Sequence, residues 1–299
     1  DGQYVRTRDL DKVKPAFQDL LDRMRTDYID LGMIHFVDEA AEFQSIMNGE
    51  FMEYVRGLKE QGIIRHIGMS THNPAVAKMG ALCGEIEMIL FSINPAFDML
   101  PASENIEDYF KERYEEELGG IAPERAELYR ICEQEEVGIT VMKGYAGGRL
   151  FSAEASPFGV ALTPVQCLHY ALTRPAVASV MVGYDTPDHV AAAVAYESAS
   201  EEEKDYATVL AGAPHHAYAG QCTYCGHCAP CPASIDIAMV NKLYDLAVMQ
   251  NEVPASLRAH YDGLSAGAAD CIGCGSCETR CPFGVHVVER MGQAKALFS

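Results

Sequence analysis

The chain of 299 residues has no tryptophan, and it carries only 23 lysines and arginines against 43 aspartates and glutamates, a formal net charge of −20. So little positive charge excludes the counterion-release binding by which proteins hold nucleic acids, and it disfavours anionic membrane surfaces. Long apolar runs are also lacking: none approaches the ~18 residues of a membrane span, and no secretory leader pattern is legible. The expectation is a cytoplasmic protein in a reducing, oxygen-poor compartment. Its expected partners are a small-molecule substrate and a redox carrier protein, with no nucleic acid and no membrane.

What the chain has in quantity is cysteine. Eight of its 11 cysteines fall in two runs, Gln221 to Pro232 (QCTYCGHCAPCP) and Asp270 to Pro282 (DCIGCGSCETRCP). In each, three cysteines at C-x-x-C-x-x-C are followed by a fourth with proline after it, so the runs form an internal repeat. A cubane iron-sulfur cluster needs one thiolate per iron, and a loop can wrap three corners. In two-cluster ferredoxins the fourth cysteine ligates the other cluster. That pattern pairs Cys222, Cys225 and Cys228 with Cys281, and Cys271, Cys274 and Cys277 with Cys231. The first run departs from the usual bacterial spacing, with two residues between Cys228 and Cys231 where the second run has three between Cys277 and Cys281. Structural zinc also uses C-x-x-C pairs, but it leaves the third cysteine and the Cys-Pro endings without a reason. Two 4Fe-4S clusters are therefore expected. Cys83, Cys132 and Cys167 stand singly in apolar helical patterns and read as core.

The rest of the chain, in a sequence with 48% hydrophobic residues, is long enough for one large domain before the small cysteine domain. Apolar periodicity and caps predict helices over Asp9 to Arg25, Phe51 to Gln61, Pro74 to Cys83, Ala122 to Glu136, Thr163 to Thr173 and Pro187 to Ala199. Between them, strands are predicted at Tyr28 to His35, Arg65 to Thr71, Met88 to Asn94, Ile139 to Lys143 and Ala178 to Val182. Such alternation means parallel β/α units. Pro101 to Gly120 interrupts the rhythm as a helical insertion, Glu201 to Asp205 reads as helix surface, and 201–220 as a linker. In the cysteine domain, Asp236 to Met249 and His286 to Phe298 read as helices, so 221–299 should be mostly helical.

Asp27 to His35 (DYIDLGMIH), Ile67 to Ser70 (IGMS), Met142 to Leu150 (MKGYAGGRL) and Thr163 to Leu172 (TPVQCLHYAL) resemble successive segments of an aldo-keto reductase. The cysteine runs resemble the helical dicluster ferredoxin domain carried by one branch of that family. The resemblance implies a TIM-type (β/α) barrel over 1–200, with its site at the C-terminal ends of the strands. Since a closed barrel has eight strands, the five predicted here make this chain one that lacks the first three β/α units, and Asp1 is expected to continue upstream.

The resemblance also assigns roles. His35 matches the histidine that hydrogen-bonds a substrate carbonyl. The tyrosine, lysine and aspartate that accompany it precede this point in relatives and are absent from the chain. Lys143, Gly147, Gly148 and Arg149, in a loop also holding Tyr145, match the loop that contacts a cofactor pyrophosphate. Ser70 matches a contact to the nicotinamide amide, and Asn94 ends its strand on the same rim. Thr71, Leu90 and Met142 replace residues that usually serve the cofactor. Asp185 and Asp188 stand where NADP-using relatives carry basic residues, so NADPH is disfavoured as the nicotinamide nucleotide. The expected function is an oxidoreductase coupled to electron transfer through the clusters. The alternative is an electron-transfer protein whose barrel is a non-catalytic docking scaffold.

Overall fold

A computed structural model describes residues 7–99, 120–214, 220–248 and 252–299. The expected insertion over Pro101 to Gly120 and the pair His215 and His216 lie outside the described residues, Gly120 apart. Five strands form one sheet: β1 (Ile29–Ile34), β2 (Ile64–Thr71), β3 (Met88–Ser92), β4 (Gly138–Met142) and β5 (Val177–Val180). They run in the order β1-β2-β3-β4-β5, every pair parallel. Unbroken sequential order is the winding of a barrel wall; a doubly wound sheet reverses direction at a switch point.

The helices of the first part are α1 (Leu10–Met24), α2 (Ala40–Met47), α3 (Glu50–Glu60), α4 (Pro74–Leu82), α5 (Pro123–Gln134), α6 (Pro164–Leu172) and α7 (Pro187–Val194). Local chemistry sets their ends. Asp9 caps α1 by accepting the Asp11 N–H, and Asn73 caps α4 by accepting that of Ala75. Thr163 and Gln166 form a reciprocal capping box on α6, with Pro164 in its first turn. In α3 the buried residues Met52, Val55 and Leu58 recur at helical spacing, giving one face to the sheet. Gly80 of α4 lies over β2 so closely that a Cβ would stand 2.4 Å from the Met69 sulfur.

Strand alternation divides the sheet into two unlike faces. Ile67, Met69, Ile89, Phe91, Ile139 and Val141 are each no more than 2% exposed and belong to the single apolar core. On the other face of the edge strand β1, Leu31 is 49% and Met33 37% exposed. The apolar core therefore lies between sheet and helices, and the other face is exposed at the edge strand β1.

Within 201–214, expected as linker, lie α8 (Glu201–Lys204) and α9 (Tyr206–Ala211); α8 is solvated, while Tyr206, Ala207 and Leu210 are fully buried. The C-terminal part contains α10 (Ile237–Ala247), α11 (Ala255–Asp262), α12 (Ser276–Arg280) and α13 (Val287–Phe298), and no strand among its described residues. Arg290 of α13 ties back to α10 through Asp245 at 2.5 Å and Asn241 at 2.9 Å. No helix among the described residues is long and apolar enough to cross a membrane.

An open edge strand with exposed apolar side chains is a template for association. Leu31→Lys combined with Met33→Lys should lower the self-association of this chain in sedimentation velocity. Because both positions are exposed, stability should change by no more than about 0.5 kcal/mol per site. Unchanged association would show that β1 is not the contact.

Candidate functional site

All five strands point the same way, so their C-terminal ends form one rim. His35 follows β1, half-buried, its carbonyl accepting from the Arg8 guanidinium at 2.8 Å. Ser70, 2% exposed, accepts the Phe36 N–H on its hydroxyl at 2.7 Å. Asn94 is fully buried: its Nδ2 donates to the Lys143 carbonyl at 2.9 Å, and its Oδ1 accepts from Ala96 and Phe97. The Ser70 and Asn94 side chains thus bind the rim loops to one another. Lys143, Gly147 and Gly148 sit on an exposed turn after β4, with φ of 60°, 66° and 85°, followed by Arg149. Positive φ at both glycines is the backbone geometry that turns successive N–H groups to one side. Asp185, between β5 and α7, and Asp188, in the first turn of α7, are exposed, and Thr186 between them caps the helix.

Beside His35 stands a group that no motif announces. Asp38, buried after β1, accepts from Thr71 Oγ1 at 3.0 Å and from the His72 N–H at 2.7 Å, and pairs with His72 Nδ1 at 3.0 Å. Burial pulls the Asp38 carboxyl upward, but the His72 ring and N–H and the Thr71 hydroxyl outweigh it and hold it below its ordinary value.

The eight cysteines of the two runs surround two pockets. One is lined by Cys222, Cys225, Cys228 and Cys281, the other by Cys271, Cys274, Cys277 and Cys231. Positive φ at Tyr224 and Gly226, and at Gly273 and Gly275, turns each C-x-x-C loop around its pocket. Arg280 holds the two runs together, its Nη2 donating to the carbonyls of Cys228 at 2.6 Å and Pro230 at 2.8 Å. The Val285 N–H donates to the Cys281 sulfur at 3.4 Å. Burial pushes the Cys222 and Cys228 thiols up to about 12, whereas the exposed Cys274 is lowered by the Ser276 hydroxyl. Buried thiols of that kind ionise only beside a positive centre. Among the described residues no three His, Cys, Asp or Glu converge tightly enough to hold one metal ion. Four thiols spread around a pocket instead suit a cubane, each thiolate on its own iron.

A buried polar chain runs between the rim and the first pocket. Asp98 is fully buried and accepts from the hydroxyls of Tyr129 and, at 2.7 Å, Tyr170. Burial raises its carboxyl, against the pull of the Arg125 guanidinium 3.5 Å away, which also donates to the Ser92 carbonyl at 2.9 Å. The Arg174 guanidinium lies 4.4 Å from the Tyr170 ring centroid and donates to the Thr223 carbonyl, which also accepts from the Tyr206 hydroxyl at 2.8 Å.

The aldo/keto reductase family matches over residues 7–160, more than half the chain, and a 4Fe-4S dicluster domain over 217–285. The chain belongs to the aldo/keto reductase family. Methylglyoxal reductase DkgB of Salmonella typhi is 31% identical over 83 residues, 26% of this chain and 30% of that protein. The protein of that name from Escherichia coli O157:H7 matches to the same extent. The chain thus spans about 30% of the length of the curated relatives it matches. Aldo-keto reductase AKR11C1 of Bacillus halodurans, holo form, is 23% identical with a TM-score of 0.46, over 67% of this chain and 66% of that one.

In this aldo/keto reductase chain the expected residues fall into two places. His35, Ser70, Asn94, Lys143, Gly147, Gly148 and Arg149 share the strand-end rim, and the eight cysteines share the pair of pockets. Asp38, His72 and Arg174 were not legible as site residues. The one available signal was position: Asp38 and His72 each follow a strand end of neighbouring strands.

The Asp38 contribution to stability is in full effect above its ordinary range near pH 4 and is lost as pH falls through its lower folded value. Asp38→Asn should cost about 1–3 kcal/mol in urea unfolding at neutral pH, the usual effect of stranding buried partners. The difference from wild type should shrink below about pH 4. A cost under about 0.5 kcal/mol at neutral pH would remove this group from the rim's support.

Proposed function

We propose that this chain is an oxidoreductase of aldo/keto reductase type in which two 4Fe-4S clusters pass single electrons between an external redox carrier and a cofactor or substrate at the strand-end rim. The observation that carries this is the pair of four-cysteine pockets, each drawing its fourth thiol from the other run. Cys222, Cys225, Cys228 and Cys281 would hold the first cluster, and Cys271, Cys274, Cys277 and Cys231 the second. When bound, such clusters supply one-electron transfer. The chain's own residues orient and insulate: Phe283, Val285 and Val287 line the first pocket, and Ile235, Val288 and Met291 the second.

At the rim, His35 is assigned the hydrogen bond to a substrate carbonyl, and Lys143 with the glycine turn and Arg149 an anionic group of a nicotinamide nucleotide. Ser70 and Asn94 keep those loops in place. The likeness to proteins named methylglyoxal reductase favours a small carbonyl compound as substrate. The exposed carboxylates of Asp185 and Asp188 disfavour the 2'-phosphate of NADPH.

Iron and sulfide analysis should find about eight of each per chain, falling to about four in Cys231→Ser and in Cys281→Ser. If either serine variant keeps the full complement, the crossed ligation is wrong.

Calorimetry should show NADPH binding no tighter than NADH. Micromolar NADPH binding with clearly weaker NADH would overturn the charge argument.

A further inference from the structure

Arg174 follows α6 and reaches the Thr223 carbonyl of the loop that lines the first cysteine pocket. It is 1% exposed. Its Nη2 donates to the Thr223 carbonyl, to Thr173 Oγ1 at 2.9 Å and to the Tyr206 hydroxyl at 3.3 Å. Nε and Nη1 are buried without a hydrogen-bond partner. Among the described residues no carboxylate lies within ion-pair distance of it: Asp98 acts on it from further off and is taken up by Arg125, Tyr129 and Tyr170, whereas Arg290 pairs with Asp245 and His227 with Asp205. A guanidinium removed from water without an anion in direct contact is strongly disfavoured. Thr223 sits between Cys222 and Cys225, and the Arg174 Cζ is 5.5 Å from the Tyr224 ring centroid. A cluster with four thiolates carries net negative charge, and it would occupy the pocket that Thr223 and Tyr224 line.

We propose that Arg174 is the charge partner of the first cluster and raises the reduction potential of that cluster while leaving that of the second in place. This rests on the two-cluster reading above. Each reduction adds one electron, and with it one negative charge, to a cluster, so a fixed cation nearby favours the reduced form. Burial of the first pocket opposes reduction, yet it also keeps water and salt from screening the guanidinium. Arg280 donates to the Cys228 carbonyl of the first loop but lines the second pocket, so its charge bears on the second cluster as that of Arg174 bears on the first. The second pocket has a cation of its own in Arg280, whose Nε is also buried without a hydrogen-bond partner. The second loop is further flanked by Asp270 and Glu278, whose carboxylates accept from the N–H groups of Gly267 and Val288, and Cys274 is exposed.

The test is a dithionite titration of the whole cluster-loaded chain, followed by electron paramagnetic resonance. Iron and sulfide counts on the wild type, made first, test the two-cluster reading separately. Arg174→Gln keeps a donor toward Thr223 and removes the charge. It should shift one reduction step to lower potential and leave the other in place. In the Cys231→Ser background, the single remaining step should shift in the same way. Arg174→Lys should keep the wild-type potentials, and Tyr206→Phe, which removes a hydrogen bond to the same carbonyl without changing charge, should shift neither step. The proposal falls if Arg174→Gln holds both clusters with both steps unmoved, if the second cluster shifts instead, or if Tyr206→Phe reproduces the shift. Should Arg174→Gln lose iron, Arg174→Lys decides: a first step lowered despite the retained charge overturns the assignment.

Discussion

Four thiols must converge on each pocket, three from one C-x-x-C-x-x-C loop and one from the other run, and the C-terminal part is built around that requirement. Neither loop closes its pocket alone. Arg280 lies between Cys277 and Cys281, which line different pockets, and its guanidinium holds the carbonyls of Cys228 and Pro230 in the opposite run. Helices α10 and α13 back the pockets with apolar side chains and are joined by Arg290 through Asn241 and Asp245. Desolvated thiols resist ionisation, so a compact arrangement of this kind is coupled to the metal it would bind.

The first pocket is also anchored to the β/α part. The Thr223 carbonyl accepts from both Arg174 and Tyr206, and from there buried polar contacts continue through Tyr170 and Asp98 to Arg125 and the Ser92 carbonyl at the end of β3. Buried groups of this kind are costly to leave unsatisfied, so they hold the cysteine loop in one position against the barrel portion. Electron transfer between two parts of a chain needs such fixed spacing. The rim itself is less committed: its turn after β4 is exposed, while Ser70, Asn94 and Asp38 are occupied in holding loops.

Much of this was legible from the residues. Caps and periodicity placed two helices within one residue of where the structure has them, at Pro74–Leu82 and Pro164–Leu172, because Asn73, Thr163 and the following prolines act locally. The predicted helix Pro187 to Ala199 is α-helical only to Val194 and continues as a 3₁₀ turn over Ala195–Ser198. Helix α2 was missed because Ala40–Met47 is short and its N-cap, Glu39, makes no side-chain hydrogen bond to it. The buried helix α9 was hidden inside an acidic stretch that reads as solvated, since only Tyr206, Ala207 and Leu210 of it turn inward.

The sequence by itself determined the five strands and most of the helices between them, the parallel β/α order, the family and the cysteine pattern. All of these rest on contiguous segments, where periodicity, caps and ligand spacing act over a few residues. Tertiary structure alone decided that the apolar core occupies one face of the sheet, that Asp38 meets His72, and that a buried guanidinium stands behind the first cysteine loop. Those facts depend on strand register and helix packing, which bring together side chains from separate elements, such as Asp38 with His72 and Arg174 with Thr223. No local pattern encodes such meetings, because the free energy that selects them comes from burial and hydrogen bonding across the whole packed chain.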